Sequence, residues 1–248
     1  MGNRNHVFDA LVLRRWPIGD AHRGVGFLTR EQGPLSAIAH GAASSKGRLK
    51  LLTIPIRRVV LKAYHDPVAD SWKVVDLEPV ALYGGLSEDL DRSAIASTWA
   101  ELLWKTQSPG QPSEVFELFA EALALLETLD RAAAARLNVQ VLWRGLELSG
   151  LAPDFSACAD CGRPLREAFL LDAGEAVCRD CARGRGTWLS AEAVDLLLAT
   201  AVLPLGESVL APVAAADVQT LTAEAVASWE RMLGSPLKSV RVFQGGPA

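Results

Sequence analysis

Side chains able to do chemistry are scarce in this chain. Its 248 residues include only four cysteines, four histidines, two tyrosines and two methionines. The histidines (His6, His22, His40 and His65) all fall near the N-terminus, and none stands at metal-ligand spacing from another. There is no H-E-x-x-H, which would set two imidazoles on one helix face around zinc, and no G-x-S-x-G nucleophile turn. Gly41 to Gly47 has neither the spacing nor the Lys-Ser/Thr pair of a phosphate-cradling P-loop. Gly24-x-Gly26 lacks the third glycine of a dinucleotide fingerprint. These absences argue against hydrolytic, nucleotide-hydrolysing and dinucleotide-dependent classes, and the chain reads as a non-enzyme. No apolar run reaches the ~18 residues of a membrane span, and no apolar block near the N-terminus suits a signal peptide. Met1-Gly2 opens like a myristoylation site, but His6 stands where Ser or Thr is needed. A cytoplasmic protein is expected.

What the chain does have is a cluster. All four cysteines lie in Cys158-Ala-Asp-Cys161 and Cys178-Arg-Asp-Cys181, a C-x2-C-x16-C-x2-C spacing. Each C-x2-C pair lets one tight turn offer two sulfurs to one ion, and sixteen residues suffice for a hairpin that returns the second pair. Four thiolates would close a zinc tetrahedron and leave no position for water or substrate, so such a metal would be structural. Two disulfides and four metal-free thiols are the competing readings. Disulfides belong to oxidising compartments, to which this sequence shows no route.

The net charge of −4 conceals a division. Residues 1–64 carry eleven Lys/Arg and three acids, a balance of +8; the other 184 residues carry 14 and 26, a balance of −12. A cationic segment joined to an anionic one points to a polyanionic partner for the first. That segment also has strand character. Val7–Leu13, Gly24–Thr29, Leu35–Ala39, Ile54–Tyr64 and Trp72–Tyr83 read as five short strands, with turn chemistry at Trp16-Pro17-Ile18-Gly19-Asp20 and Glu31-Gln32-Gly33. Five strands in about 80 residues without an intervening helix favour a small closed barrel, commonly the OB-fold, which binds oligonucleotides on one face. After Gly84-Gly85 the period becomes helical. Helices are expected over Ser87–Thr106, from an N-cap at Ser113 to Leu129, over Arg131–Ser149, from Ser190 to Thr200, and over Ala214–Leu233. The expected architecture is α+β and multidomain: a barrel over 1–83, then an α-helical domain over 84–248 with the cysteine module at about 155–186.

Candidate phosphate contacts follow from the cations of the first domain. In His40-Gly41-Ala42-Ala43-Ser44-Ser45-Lys46-Gly47-Arg48-Leu49-Lys50, a small flexible loop carries Lys46, Arg48 and Lys50 between two strands. Period-2 alternation puts Arg58, Val60, Lys62 and Tyr64 on one face of the fourth strand, and Arg57, Val59, Leu61 and Ala63 on the other. Arg14, Arg15, Arg23 and Arg30 complete the set. Trp16, Phe27 and Trp72 are further stacking candidates, though each suits a core better. Arg163, Arg166, Arg179, Arg183 and Arg185 near the cysteines are balanced by Asp160, Glu167, Asp172, Glu175 and Asp180, as in a solvated surface.

The segment Ala10-Leu11-Val12-Leu13-Arg14-Arg15, then Gly19-Asp20-Ala21-His22-Arg23, then Phe27 through Ala42 (FLTREQGPLSAIAHGA) resembles the N-terminus of the RecO family of bacterial DNA repair proteins. The order of parts agrees along the whole length, including the four-cysteine insertion after a helix ending near Leu148 and a C-terminal Pro236-Leu237-Lys238-Ser239. The resemblance implies an OB-fold followed by a zinc-bearing helical domain. It further implies a recombination mediator, associated with the bacterial nucleoid, that binds single- and double-stranded DNA and anneals complementary strands. Its implied partners are RecR and single-strand-binding protein, with which it helps load RecA onto coated strands, without bond chemistry. Lys46 and Arg48 match basic positions after the family's third strand. His40 stands where a lysine is frequent, and Ser44-Ser45 replace residues that are often basic, which shifts expected binding toward Arg57 and Arg58. Two other classes compete. An interaction adaptor would use the acidic helices and never touch DNA. A nucleotide kinase with a zinc-bearing lid would share the cysteine spacing but need the phosphate loop this chain lacks.

Overall fold

The computed structural model describes residues 4–44, 48–108 and 114–243. It opens with β1 (Asn5–Ile18), β2 (His22–Thr29) and β3 (Gly33–Ala39), then a single helical turn and a half, α1 (Arg48–Leu52), then β4 (Arg57–Asp66) and β5 (Ser71–Ala81). The strands close into a barrel in the order β1-β2-β3-β5-β4, antiparallel except for the parallel β3–β5 pair that seals it. This is the OB-like barrel the strand count suggests. Inward side chains alternate along each strand: Phe8, Ala10 and Val12 of β1 meet Val25, Phe27, Leu35, Ala37, Val59, Leu61, Ala63 and Leu77. The β4 face expected to point outward, Arg58, Val60, Lys62 and Tyr64, does so.

The strand β1 is 14 residues long and serves two neighbours. Its first part pairs with β4, from Asn5↔Tyr64 to Val12↔Arg57, and its second with β2, from Ala10↔Thr29 to Ile18↔His22. The turn expected at Trp16 to Asp20 therefore starts later, since the strand continues through Pro17. Beyond Val12, β1 pairs only with β2, and a proline on such a free edge costs no ladder hydrogen bond. Between Val12 and Arg14 the register slips by one residue. A bulge of this kind exchanges the two faces of the strand.

Helices follow: α2 (Leu90–Thr106), α3 (Glu114–Thr128) and α4 (Arg131–Leu148). Asp89 caps α2 by accepting from the Arg92 N–H, and Asp130 caps α4 through the Ala133 N–H. The proposed N-cap at Ser113 lies outside the described residues. The cysteine module contributes β6 (Ala168–Leu170), β7 (Ala176–Val177), α5 (Arg179–Ala182) and β8 (Thr187–Leu189), a small sheet in the order β7-β6-β8. Then come α6 (Ala191–Val202), capped by Ser190, α7 (Leu205–Ser208), α8 (Ala215–Leu233) and α9 (Lys238–Phe243). Among the described residues no helix is long and apolar enough to cross a membrane.

The chain divides into two compact units, Met1–Glu127 with Leu237–Ala248, and Thr128–Pro236. The expected division at 83/84 marks where the last barrel strand gives way to helix. The first unit continues to Glu127 because Leu11, Leu13 and Ile56 on the outside of the barrel meet Trp99, Ala100, Leu103, Phe119 and Leu123 of α2 and α3. In the second unit the indole N–H of Trp143 donates to the Leu221 carbonyl, and that of Trp229 to the Leu142 carbonyl, locking α4 to α8. These buried indoles combine large apolar area with a satisfied donor.

The C-terminal helix α9 returns to the first unit through one carboxylate. Glu101 of α2 accepts from the N–H groups of Lys238 and Ser239 and from the Ser239 hydroxyl, and it pairs with Lys105 at 2.7 Å. Burial would raise the Glu101 pKa, but these donors outweigh it and hold the carboxyl at about 2. A carboxyl depressed in the folded state stabilises above its unfolded pKa and loses that contribution as pH falls. The stability difference between wild type and Glu101→Gln should therefore be full at neutral pH and fade from pH 4.5 toward 2. Urea unfolding across pH measures it; a difference independent of pH would contradict the latch.

Candidate functional site

The cations of the barrel fall into two groups with different partners. Arg58 of β4 grips Asp9 of β1 through two bonds, Nε at 3.0 Å and Nη2 at 2.6 Å. Arg30 approaches the same carboxylate at 3.2 Å and reaches Glu117 of α3 at 2.8 Å. Two guanidiniums thus face two carboxylates, and both also lie over the Phe116 ring. The hydrogen bonds that Arg58 donates to Asp9 raise its pKa, as expected of a charge held by its partner. Lys62 binds Glu78, whose hydrogen bond likewise raises its pKa. Arg57 donates to the carbonyls of Ile56 and Leu82, and burial lowers its pKa. Arg48 donates to the Leu77 carbonyl at 2.9 Å. Lys46 lies outside the described residues.

Arg14, Arg15, Arg23 and Lys50 form the second group, and none of them pairs with a carboxylate among the described residues. Arg15, Arg23 and Lys50, with Trp16, Pro17, Ala42 and Ala43, line a groove of about 320 Å³. Local structure explains each position. The bulge after Val12 turns Arg15 to the side of its partner Val25, and Arg14 and Trp16 to the side of Gly26 and Gly24. The loop after β3 is tied to the β1–β2 hairpin: the Ala43 N–H donates to the Ala21 carbonyl, and the Gly41 N–H to Nδ1 of His22. Those bonds bring Ala42 and Ala43 beside Arg15 and Arg23, and α1 adds Lys50. Trp16, read as turn or core, is instead a half-buried groove wall.

Gly24 and Gly26 supply the space. A Cβ on Gly24 would sit 2.1 Å from the Trp16 indole, and one on Gly26 would sit 2.4 Å from the Trp104 indole of α2. The Arg14 guanidinium lies between the two rings, 4.8 Å from the Trp16 centroid and 4.9 Å from that of Trp104. The signal in the sequence was there, as two glycines opposite Arg14 and Trp16, but the pairing that gives it meaning was not.

The cysteine module brings its ligands together. The four Sγ atoms of Cys158, Cys161, Cys178 and Cys181 lie within 4.8 Å of one another, and Cys161 and Cys178 are 3.8 Å apart. Four sulfurs at about 2.3 Å from one ion stand about 3.8 Å apart along each edge of a tetrahedron. A disulfide needs about 2.05 Å, and all four thiols are free. Gly162, at φ +71°, turns the first knuckle so that its N–H meets the Cys158 carbonyl. The Cys178 N–H donates to the Cys158 sulfur and lowers that thiol to about 6, while the crowding sulfur of Cys178 pushes Cys181 up to about 12. Four sulfurs within 4.8 Å of one another, one pair at 3.8 Å, and none joined in a disulfide form a donor set that fits a metal ion. Around them, Arg163 pairs with Asp180 and Arg179 with Glu167, the balanced surface that the composition suggests.

Fold and site together define a protein with an OB-like barrel, a cationic groove on that barrel, and a four-cysteine module set among helices. Comparison with known proteins is specific. The family described as "Recombination protein O N terminal" matches residues 3–69, and "Recombination protein O C terminal" matches 87–241. The "DNA repair protein RecO" of Anaeromyxobacter sp. (strain K) is 34% identical over 178 residues, covering 70% of this chain and 69% of the relative. That of Desulfitobacterium hafniense (strain DSM 10664 / DCB-2) is 31% identical over 202 residues, covering 76% and 71%. The chain belongs to the RecO family of DNA repair proteins.

The seat of the Trp16 indole depends on the glycine opposite it. Gly24→Ala should displace the indole and cost about 1–3 kcal/mol, as overpacking does. Urea unfolding would read the loss, and near-ultraviolet circular dichroism the moved tryptophan; an unchanged stability and spectrum would contradict the close approach.

Proposed function

We propose that this protein binds single- and double-stranded DNA through its barrel, anneals complementary strands, and acts with RecR and single-strand-binding protein to help load RecA. Its substrate would keep it at the nucleoid, in the bacterial cytoplasm. Membership of a DNA repair family supports the reading. The observation that carries it is the groove of Arg15, Arg23 and Lys50, with exposed Arg14 on the other side of β1, four cations with no carboxylate partner among the described residues. Charges left without partners along a concave surface are what a phosphate backbone needs, since binding then releases counterions without breaking ion pairs. Arg30, Arg58 and Lys62 contribute less on this reading, because DNA would compete with Asp9, Glu78 and Glu117 for them, and Arg57 less because it is held by the Ile56 and Leu82 carbonyls.

The test is salt dependence. Four phosphate contacts on a single strand give a slope of log K against log salt near −2.8, so affinity should fall about 50-fold from 50 to 200 mM salt. Fluorescence anisotropy with a labelled oligonucleotide reads this. An affinity indifferent to salt, or no binding at low salt, would favour an adaptor that works through its helices.

We further propose that the metal is one structural Zn²⁺ on Cys158, Cys161, Cys178 and Cys181. Zinc would supply cross-linking of the two knuckles, with no open position for chemistry. Elemental analysis should find one zinc per chain, and its removal by a chelator should lower the melting temperature of the second unit, since metal-binding free energy is folding free energy. No zinc in protein with four titratable thiols, or unchanged melting after its removal, would refute the assignment.

A further inference from the structure

We infer that Cys161 is an oxidation site, where a peroxide turns the cysteine module from a metal clasp into a disulfide between Cys161 and Cys178. The inference rests on the zinc reading above and goes beyond it. The four sulfurs are unequally sheltered. Cys158 is 3% exposed and its sulfur accepts the Cys178 N–H, Cys178 and Cys181 are half-buried, and Cys161 alone of the four is exposed. Its own knuckle gives it no cover, since Ala159, Asp160, Gly162 and Arg163 are exposed as well. The Arg163 guanidinium, held by Asp180 at 3.0 Å, lies beside the Cys161 sulfur and sets a cation where a hydroxide would leave. Oxidation selects accessible thiolates, and a second cysteine close by resolves the product. The Cys178 sulfur stands 3.8 Å away, on the other knuckle. The Cys161 thiolate attacks one peroxide oxygen: an S–O bond forms, the O–O bond breaks, and the leaving hydroxide takes a proton to become water. The Cys178 thiolate then attacks the sulfenic sulfur: an S–S bond forms, the S–O bond breaks, and a second hydroxide leaves to become water. Two thiolates have given two electrons to one peroxide. Cys158 and Cys181 remain as thiols, too few to hold the ion, while the new bond keeps the knuckles joined.

The full chain, its zinc counted beforehand, is titrated with hydrogen peroxide. Released zinc is read with a chromogenic chelator, and the cysteines by peptide mass spectrometry with a sulfenic-acid trap. Zinc should leave in proportion to the Cys161–Cys178 disulfide, one ion for each, and dithiothreitol with added zinc should reverse both. The trap should mark Cys161 about tenfold more than Cys158. Cys161→His keeps a ligand set that zinc accepts and removes the exposed thiol, so its zinc should leave about tenfold more slowly. Zinc that stays bound through the titration, a first adduct on another cysteine, or a Cys158–Cys161 disulfide in place of the cross-knuckle one would overturn the inference. Release from Cys161→His at the wild-type rate would do the same; if that variant holds no zinc, the wild-type map decides alone. Absence of zinc before any peroxide is added would instead remove the zinc reading beneath it.

Discussion

Between Val12 and Arg14 the first strand carries one residue more than its partner, and the faces of β1 exchange there. Before the slip, Phe8, Ala10 and Val12 fill the barrel while Leu11 is buried beneath α2 and α3. Past the slip Arg14 and Trp16 share a side with Gly26 and Gly24 while Arg15 shares one with Val25, and both arginines are exposed. The extra residue thus sets Arg15 in the groove. Bulges often sit where a strand must re-aim a side chain, and this one separates the part of β1 that pairs with β4 from the part that pairs with β2 alone.

The second determinant is which cations already have partners. A residue count credits the first 64 residues with eleven positive charges, yet the fold neutralises several of them. Arg58 and Arg30 share Asp9, Glu117 completes their square, and Lys62 is matched by Glu78. These pairs fasten β4 to β1, α3 to the barrel, and β5 to β4. Arg15, Arg23 and Lys50, without acidic partners among the described residues, gather where the β1–β2 hairpin, the loop after β3 and α1 converge. In the cysteine module, Arg163 and Arg179 are paired with Asp180 and Glu167, and the four sulfurs are drawn together.

Much of this was legible in the chain itself. Period-2 patterning gave the strands and the outward face of β4, and Asp89, Ser190 and Gly234 mark helix ends by ordinary capping chemistry. The cysteine spacing is local, so two knuckles and a hairpin follow from it directly. The rest depends on distant pairings. A bulge leaves no mark in composition, because it exists only relative to the partner strand. The tie between Arg58 and Asp9 spans 49 residues, and that between Arg30 and Glu117 spans 87. Alternation put Arg58 and Lys62 on the correct face but could not say that acids from other elements meet them there. Nor did α9 announce itself, since a six-residue helix is held by Glu101 far away in sequence and not by its own periodicity.

On the DNA-binding reading proposed above, partnership inside the fold, and not charge alone, decides which side chains would hold DNA. This is tested most directly by comparing Lys50→Gln with Lys62→Gln, two single-charge losses on one barrel, in the slope of log affinity against log salt for a single strand. The account predicts that Lys50→Gln reduces the slope by about 0.7, one phosphate contact, and that Lys62→Gln leaves it unchanged. Equal reductions from both, or a larger one from Lys62→Gln, would contradict it.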